Sequence, residues 1–255
     1  MNKNLLKGWR PLVVLLLLFV IWEIIVKVVN VPEWLLPPPS KVFTEAFAGW
    51  SDFYPDLFST IKISLFGFAV GAFIGMVVAV LLHLVPILRD SFYPLLILSQ
   101  NIPIIVLAPL LVIWFGFGLL PKIIVITLVC FFPITVATLD GFKQTPAELK
   151  TYMMMAGASK TQLFWKLEFP FSLPSIFSGL KISATYSVMG AVISEWLGAK
   201  EGIGVYMTFA SSSFRTDRVF VAIFAIMFLS LLFFLLIVLV ERRVVRWQPK
   251  GDGQK

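Results

Sequence analysis

Cysteine and histidine each occur once in these 255 residues, as Cys130 and His83. One cysteine excludes a disulfide framework within the chain and any multi-cysteine metal site. One histidine excludes a histidine-built metal cluster. No G-x-x-x-x-G-K-[ST] run is present, so the chain has no phosphate-binding loop of its own, and no H-E-x-x-H pattern marks a zinc protease. An intramembrane serine protease needs a serine and a histidine meeting at depth, and His83 falls at a helix end. Charge is also scarce, at 14% of residues against 59% hydrophobic. A soluble domain of this size cannot bury so much apolar surface, so the solvent is lipid. The formal charge of +7 would suit nucleic acid in a soluble protein, but no nucleic-acid motif accompanies it. In a membrane protein such a balance reflects basic residues gathered in cytoplasmic loops.

What is abundant is long apolar runs. A membrane-crossing helix needs about 20 mostly apolar residues. Six segments qualify: Pro11 to Val29, Ile61 to Val85, Phe92 to Phe115, Pro121 to Leu139, Leu173 to Leu197 and Val219 to Val240. The first has a basic start like a signal peptide. Its apolar run continues through Trp22 to Val29 and no A-x-A-like site follows, so it reads as a retained helix. With both termini inside, thirteen lysines and arginines fall in cytoplasmic segments, among them Arg10, Arg89, Lys143, Lys150, Lys160, Arg242 and Arg243. Five fall outside: Lys41, Lys122, Lys200, Arg215 and Arg218. That bias sets the orientation, in a cell membrane, with both termini cytoplasmic. The expected organisation is a cytoplasmic N-terminus (1–10), one transmembrane domain (11–247) and a disordered tail (248–255). No repeat relates the first three spans to the last three, which argues against a transporter folded from two repeats in one chain.

Small residues recur four apart in two spans: Gly67, Gly71, Gly75 and Ala79, then Ser175, Gly179, Ser183, Ser187 and Ala191. Such stripes let helices approach closely in lipid, either within one subunit or at a dimer seam. The third span is interrupted by Pro94, Pro103 and Pro109, with Ser99, Gln100 and Asn101 between the first two. Freed backbone groups at membrane depth must face protein or water. Ser99, Gln100 and Asn101, with Ser187 and Glu195 of the fifth span, are the candidate lining of a translocation pathway. The alternatives are a packing kink for the former and an interfacial cap or helix-pairing contact for Glu195. Glu23 and Lys27 can pair on one helix face, while Lys62 and Lys181 can snorkel to an interface. His83 and Cys130 read as structural. An ion-gradient carrier would carry a carboxylate deep in a span, and Glu23 is the one plausible group, with Lys27 as its structural excuse.

One segment is too polar to span: TPAELKTYMMMAGASKTQLFWKLEFP, residues 145–170. Thr145-Pro146-Ala147-Glu148 fits a helix start capped by threonine. Gly157 fits the stop, Ser159 to Gln162 is a second capping pattern, and the next helix should end before Pro170. Neither piece is long enough to be stable alone in water. The first offers Leu149, Tyr152, Met153, Met154 and Met155; the second offers Leu163, Phe164 and Leu167. An amphipathic pair like this either docks in a partner's groove or lies flat on the bilayer.

The segment resembles the coupling loop of permease subunits of ATP-binding-cassette importers, whose signature is E-A-A, three residues, G, nine residues, I-x-L-P. Gly157 is followed by nine residues and then Leu167-Glu168-Phe169-Pro170. The acidic-alanine triplet is replaced by Thr151-Tyr152-Met153. The stretches LLPPPSKV (35–42), LAPLLVIWFGFG (107–118), FFPITVATLDGF (131–142), AGASKTQLFWKLEFPFSLPSIFSGLKIS (156–183) and SEWLGAKEGIGVYM (194–207) are similar to the nitrate, sulfonate and taurine branch of that family. NIPIIVLAPLLVIWFGFGLLPK resembles its permeases for pyrimidine precursors of thiamine. The resemblance implies the fold of a type I importer permease: all-α, six transmembrane helices, and a two-helix cytoplasmic coupling segment between the fourth and fifth. It implies a second permease copy in a homodimer, a cytoplasmic ATPase dimer, an extracytoplasmic solute-binding protein and a lipid surround. The chain itself would bind no cofactor and no metal, ATP being used by the partner ATPase. Tyr152, Met153, Met154, Met155, Gly157, Ala158, Leu163, Leu167 and Pro170 are the implied ATPase-coupling residues. The loop from Glu195 to Asp217, with Gly202-Ile203-Gly204, is the candidate contact for the solute-binding protein.

Overall fold

In the computed structural model, which describes residues 5–246, every regular element is a helix. The expected tail lies outside the described residues, as do the first four positions. Helix α1 (Leu5–Val29) starts before Pro11, which is its seventh residue. A short helix α2 (Pro39–Ala48) follows, and then α3 (Trp50–Leu84). At 35 residues, α3 is about 52 Å long, well over the roughly 30 Å of a bilayer core. It therefore begins eleven residues ahead of the apolar run that starts at Ile61.

The expected third span is two helices, α4 (Pro86–Ser99) and α5 (Ile104–Phe115), bent by 100° at the break. They measure about 21 Å and about 18 Å, so neither crosses a bilayer alone. Pro103 lacks the N–H that would carry α4 onward, and it begins α5 instead. The carbonyls freed at the end of α4 are met locally. Ser99 Oγ donates to Leu96 O at 2.8 Å and Asn101 Nδ2 to Ile97 O at 3.1 Å.

Helix α6 (Leu119–Lys143), helix α9 (Phe169–Glu195) and α3 form the core of the bundle. Both small-residue stripes are spent here, within one subunit. A β-carbon on Gly67 would sit 2.5 Å from Ile126, one on Gly71 2.8 Å from Cys130, and one on Gly179 2.8 Å from the Pro133 carbonyl. Across this close approach Ser183 Oγ donates to Cys130 O at 2.7 Å and Thr135 Oγ1 to Gly75 O at 3.1 Å. Buried hydroxyls thus supply polar contacts between helices that lipid does not drive together. Cys130 is wholly buried in this seam.

Helix α10 (Ile203–Ser212) and helix α11 (Thr216–Val244) complete the bundle. The Lys181 ammonium lies 3.0 Å from the Glu241 carboxylate, joining α9 to α11. Lys62 rests over the Phe58 ring, 4.1 Å from its centroid. Helix α1 sits at the periphery, held through Phe19 and Trp22 against Phe43, Phe220 and Phe224. Glu23 pairs with Lys27 at 2.7 Å and also accepts from the Ser40 backbone and hydroxyl at 3.0 and 2.8 Å. Among the described residues, five helices are long and apolar enough to cross a membrane, or six with α4 and α5 as one broken span.

Candidate functional site

Three groups of residues carry the functional question. Two lie at opposite ends of the bundle and one lies between them. At the first end, α7 (Ala147–Met155) leads to α8 (Lys160–Leu163). Thr145 does not cap α7: the capping position is Pro146, and the Thr145 hydroxyl is buried without a partner. The stop is as expected. Gly157 takes φ +83°, its N–H donates to Met154 O, and Ala158 N–H donates to Met153 O, both at 3.0 Å. Those two bonds make a Schellman motif, which only a residue tolerant of the left-handed region closes without strain. Ser159 and Gln162 then form a full capping box at 2.9 and 3.2 Å.

The second helix does not end before Pro170. It widens into a π turn over Phe164–Glu168 and runs directly into α9. A wider turn accommodates the ring and the missing N–H of Pro170 without a break. The consequence is a change of face. Phe164, expected to be offered outward, is buried, packed tilted against the Phe142 ring and edge-on against Trp165. Leu163, Leu167, Pro170, Ala158 and Met153 are half-buried. What stands exposed is Tyr152 (69%), Met154 (55%), Met155 (78%), Gly157 and, unnoticed in the sequence, Trp165 (60%). Below them Glu168 bonds to both His83 and Lys150, at 2.8 and 2.6 Å. Sequence spacing gave no sign of that contact, since the partners are 85 and 18 positions away.

Between the ends, the α4–α5 break opens on a cavity of about 360 Å³. Ser99 and Gln100 line it, with Ile104, Leu107, Phe132, Tyr186, Met189 and Ile193. No charged side chain is among the lining residues. Asn101, expected with them, is turned back onto α4. Ser187 and Glu195 do not reach the cavity. The Ser187 hydroxyl is buried and donates to Ala184 O at 2.8 Å. The sequence missed Tyr186 and Met189, which share a helix with Ser187 but lie on its other face.

Glu195 belongs to the opposite end, where it joins three helices. Helix α10 begins after Gly202, which has no side chain to cap it. Its N–H groups are satisfied from elsewhere: Gly202 donates to Asp56 Oδ1 at 2.7 Å, Ile203 to Thr60 Oγ1 at 2.8 Å and Gly204 to Glu195 Oε2 at 2.8 Å. Thr60 Oγ1 lies 2.7 Å from Glu195 Oε1. The carboxylate is 2% exposed, against the start of a helix, where the backbone dipole favours an anion. A β-carbon on Gly202 would lie 2.2 Å from it. Nearby, Arg215 spans Glu45 and Asp217 at 2.9 and 3.0 Å, and Arg218 meets Glu45 at 2.7 Å. Hydrogen bonding to Asp217 raises the Arg215 guanidinium above its already high value, so it stays charged. Among the described residues, no three His, Cys, Asp or Glu side chains gather where they could hold a metal ion.

Comparison with known proteins agrees with this architecture. The chain is 36% identical over 249 residues to the formylaminopyrimidine transport permease protein ThiX of Halalkalibacterium halodurans, covering 97% of this chain and 99% of the relative. It is 31% identical to the riboflavin transport system permease protein RibX of Chloroflexus aurantiacus, over 92% and 89% of the two chains. With the taurine transport system permease protein TauC of Escherichia coli the identity is 29%, over 91% and 87%. Residues 71–246 match the model of a single family, and the chain belongs to it: the binding-protein-dependent transport system inner membrane components.

Proposed function

We propose that this permease of an ATP-binding-cassette importer carries an uncharged heterocyclic solute of the pyrimidine type. We further propose that its residues 145–170 dock on a cytoplasmic ATPase dimer. The observation that carries the docking reading is the exposure of Tyr152, Met154 and Met155 on the short helix α7, and of Trp165 in the π turn beyond the glycine joint. Large apolar side chains on so short an element need a covering surface, and methionine adapts to an irregular groove. The solute reading rests on the cavity. Its lining offers an amide, two hydroxyls and aromatic faces, but no cation to meet a sulfonate or nitrate. The similarity to the formylaminopyrimidine permease supports the same class. The ion-gradient carrier loses its support, because Glu23, its one candidate carboxylate, is committed to Lys27 and Ser40.

In this reading the α7 end and both termini are cytoplasmic, and a second copy of the chain completes the pathway within the lipid. ATP is bound and hydrolysed by the partner ATPase alone, with no cofactor on this chain. A solute-binding protein delivers to the α10 end, where the Glu195 to Asp217 loop faces it. Each state of the ATPase then favours one state of the pore, which is all that coupling requires. The test is co-purification of the ATPase through a tag on this chain. Tyr152, Met154 and Met155 changed together to Asp should abolish it at normal membrane levels of the permease, and Gly157→Pro should weaken it. Equal recovery of the ATPase with all variants would refute the docking reading.

A further inference from the structure

Glu168 sits where four elements meet. It belongs to the π turn, and its two carboxylate oxygens are divided between two partners. Oε2 is 2.8 Å from Nε2 of His83, in the last turn of α3, and Oε1 is 2.6 Å from Nζ of Lys150, on α7. The imidazole is in turn stacked on Phe142 at the end of α6, with ring centroids 4.4 Å apart, and Phe164 packs against both rings. Helix α7 has no buried residue of its own. Among the described residues, the Lys150–Glu168 pair is its one side-chain hydrogen bond or ion pair to another element. A helix tied so lightly would swing on its glycine joint unless this pair held it. Conversely, a push on α7 has one polar route to the long helices, and it runs through Glu168 to His83.

We propose that Lys150, Glu168 and His83 form the joint through which α7 moves α3, as positioning residues for transport rather than as part of the docking surface. The proposal rests on the reading that α7 receives the motion of an ATPase. The physical requirement is a contiguous, largely desolvated link with few alternatives. The Glu168 side chain is 9% exposed and that of His83 16%, so water competes weakly for these bonds. The apolar docking face of Tyr152, Met154 and Met155 is separate from this link. Losing the joint should therefore leave the ATPase bound but the pore deaf to it.

The test uses the full complex of permease, ATPase and lipid nanodisc, with a fluorescent label on Val85→Cys, two residues past His83. Cys130 is fully buried and takes no label. In the parent, trapping the ATPase with ATP and vanadate should shift the label spectrum. In Glu168→Gln and in Lys150→Met the ATPase should still co-purify, while the spectral shift is lost and the coupling of nucleotide state to α3 falls by about tenfold or more. The charge swap Lys150→Glu with Glu168→Lys should restore it by remaking the ion pair. A full shift in either single variant overturns the joint, as does a parent complex whose label never responds. Loss of the ATPase in the single variants overturns it too, by making the pair a docking contact. Should Glu168→Gln fail to accumulate, Lys150→Met and the swap decide. Absence of the ATPase from the parent complex itself would instead sink the docking reading on which the joint depends.

Discussion

Replacing Glu195 with Ala should release helix α10 from the bundle without unfolding the rest. The carboxylate accepts one bond from Gly204 N–H at 2.8 Å and lies 2.7 Å from the Thr60 hydroxyl. Thr60 has an alternative acceptor, the Asp56 carbonyl at 3.1 Å, so its hydroxyl is not stranded. The Gly204 N–H has none, and it is buried. Stranding it costs about 1–3 kcal/mol, and loss of the buried carboxymethyl group adds about 1–2 kcal/mol of unfilled space. The sum is about 3 kcal/mol, which is roughly a hundredfold in a local opening equilibrium. Amide exchange over residues 196–212 in nanodiscs reads that equilibrium directly, because Gly202, Ile203 and Gly204 all donate into this cluster. Exchange there should quicken by about a hundredfold while α6 and α9 stay protected. Glu195→Gln is the control. Its amide oxygen still accepts from Gly204 and its amide N–H can donate to Thr60, so the change should stay under about tenfold. Exchange within threefold of the parent for Glu195→Ala would refute the claim that this side chain caps α10.

Gly67→Val places a β-carbon 2.5 Å from a fully buried Ile126 and should destabilise the α3–α6 seam by about 1–3 kcal/mol or more. Thermal unfolding in detergent checks it against Phe66→Val, an exposed neighbour that should change little. Gln100→Glu introduces a carboxylate into a cavity whose lining holds no charged side chain. It should abolish uptake of the pyrimidine-type solute proposed above while the ATPase still co-purifies, and uptake at the parent rate would remove Gln100 from the solute path.

The membrane character, the spans and the interruption of the third span were legible in the sequence because each follows from local chemistry. So were the Gly157 stop and the Ser159 box: a left-handed glycine and a serine–glutamine pair act over three or four residues. Of the three prolines expected to interrupt the third span, only Pro103 stands at the break, Pro94 and Pro109 lying inside α4 and α5. The second coupling helix was misjudged at Pro170, because the π turn that absorbs the proline depends on α9 continuing beyond it and on Phe164 finding a pocket against Phe142. The small-residue stripes could be recognised but not assigned. A four-residue period says that something approaches closely and does not say which helix. Candidate pathway residues divided for the same reason: Ser99 and Gln100 line the cavity, while Ser187 shares a helix with Tyr186 and faces the other way.

Sequence alone determined that this chain lives in lipid, that its third span cannot be a straight helix, and that 145–170 stops and restarts at a glycine. These are properties of residues and their near neighbours along the chain. Tertiary structure decided that the glycine stripes are filled by α6, that Glu195 caps a helix from eight residues before its start, and that Glu168 joins His83 to Lys150. Such meetings join groups far apart along the chain; the Thr60 hydroxyl and the Ile203 N–H are separated by 143 positions. Only the packing of long helices brings such groups within hydrogen-bond reach, and no spacing rule encodes which groups will meet.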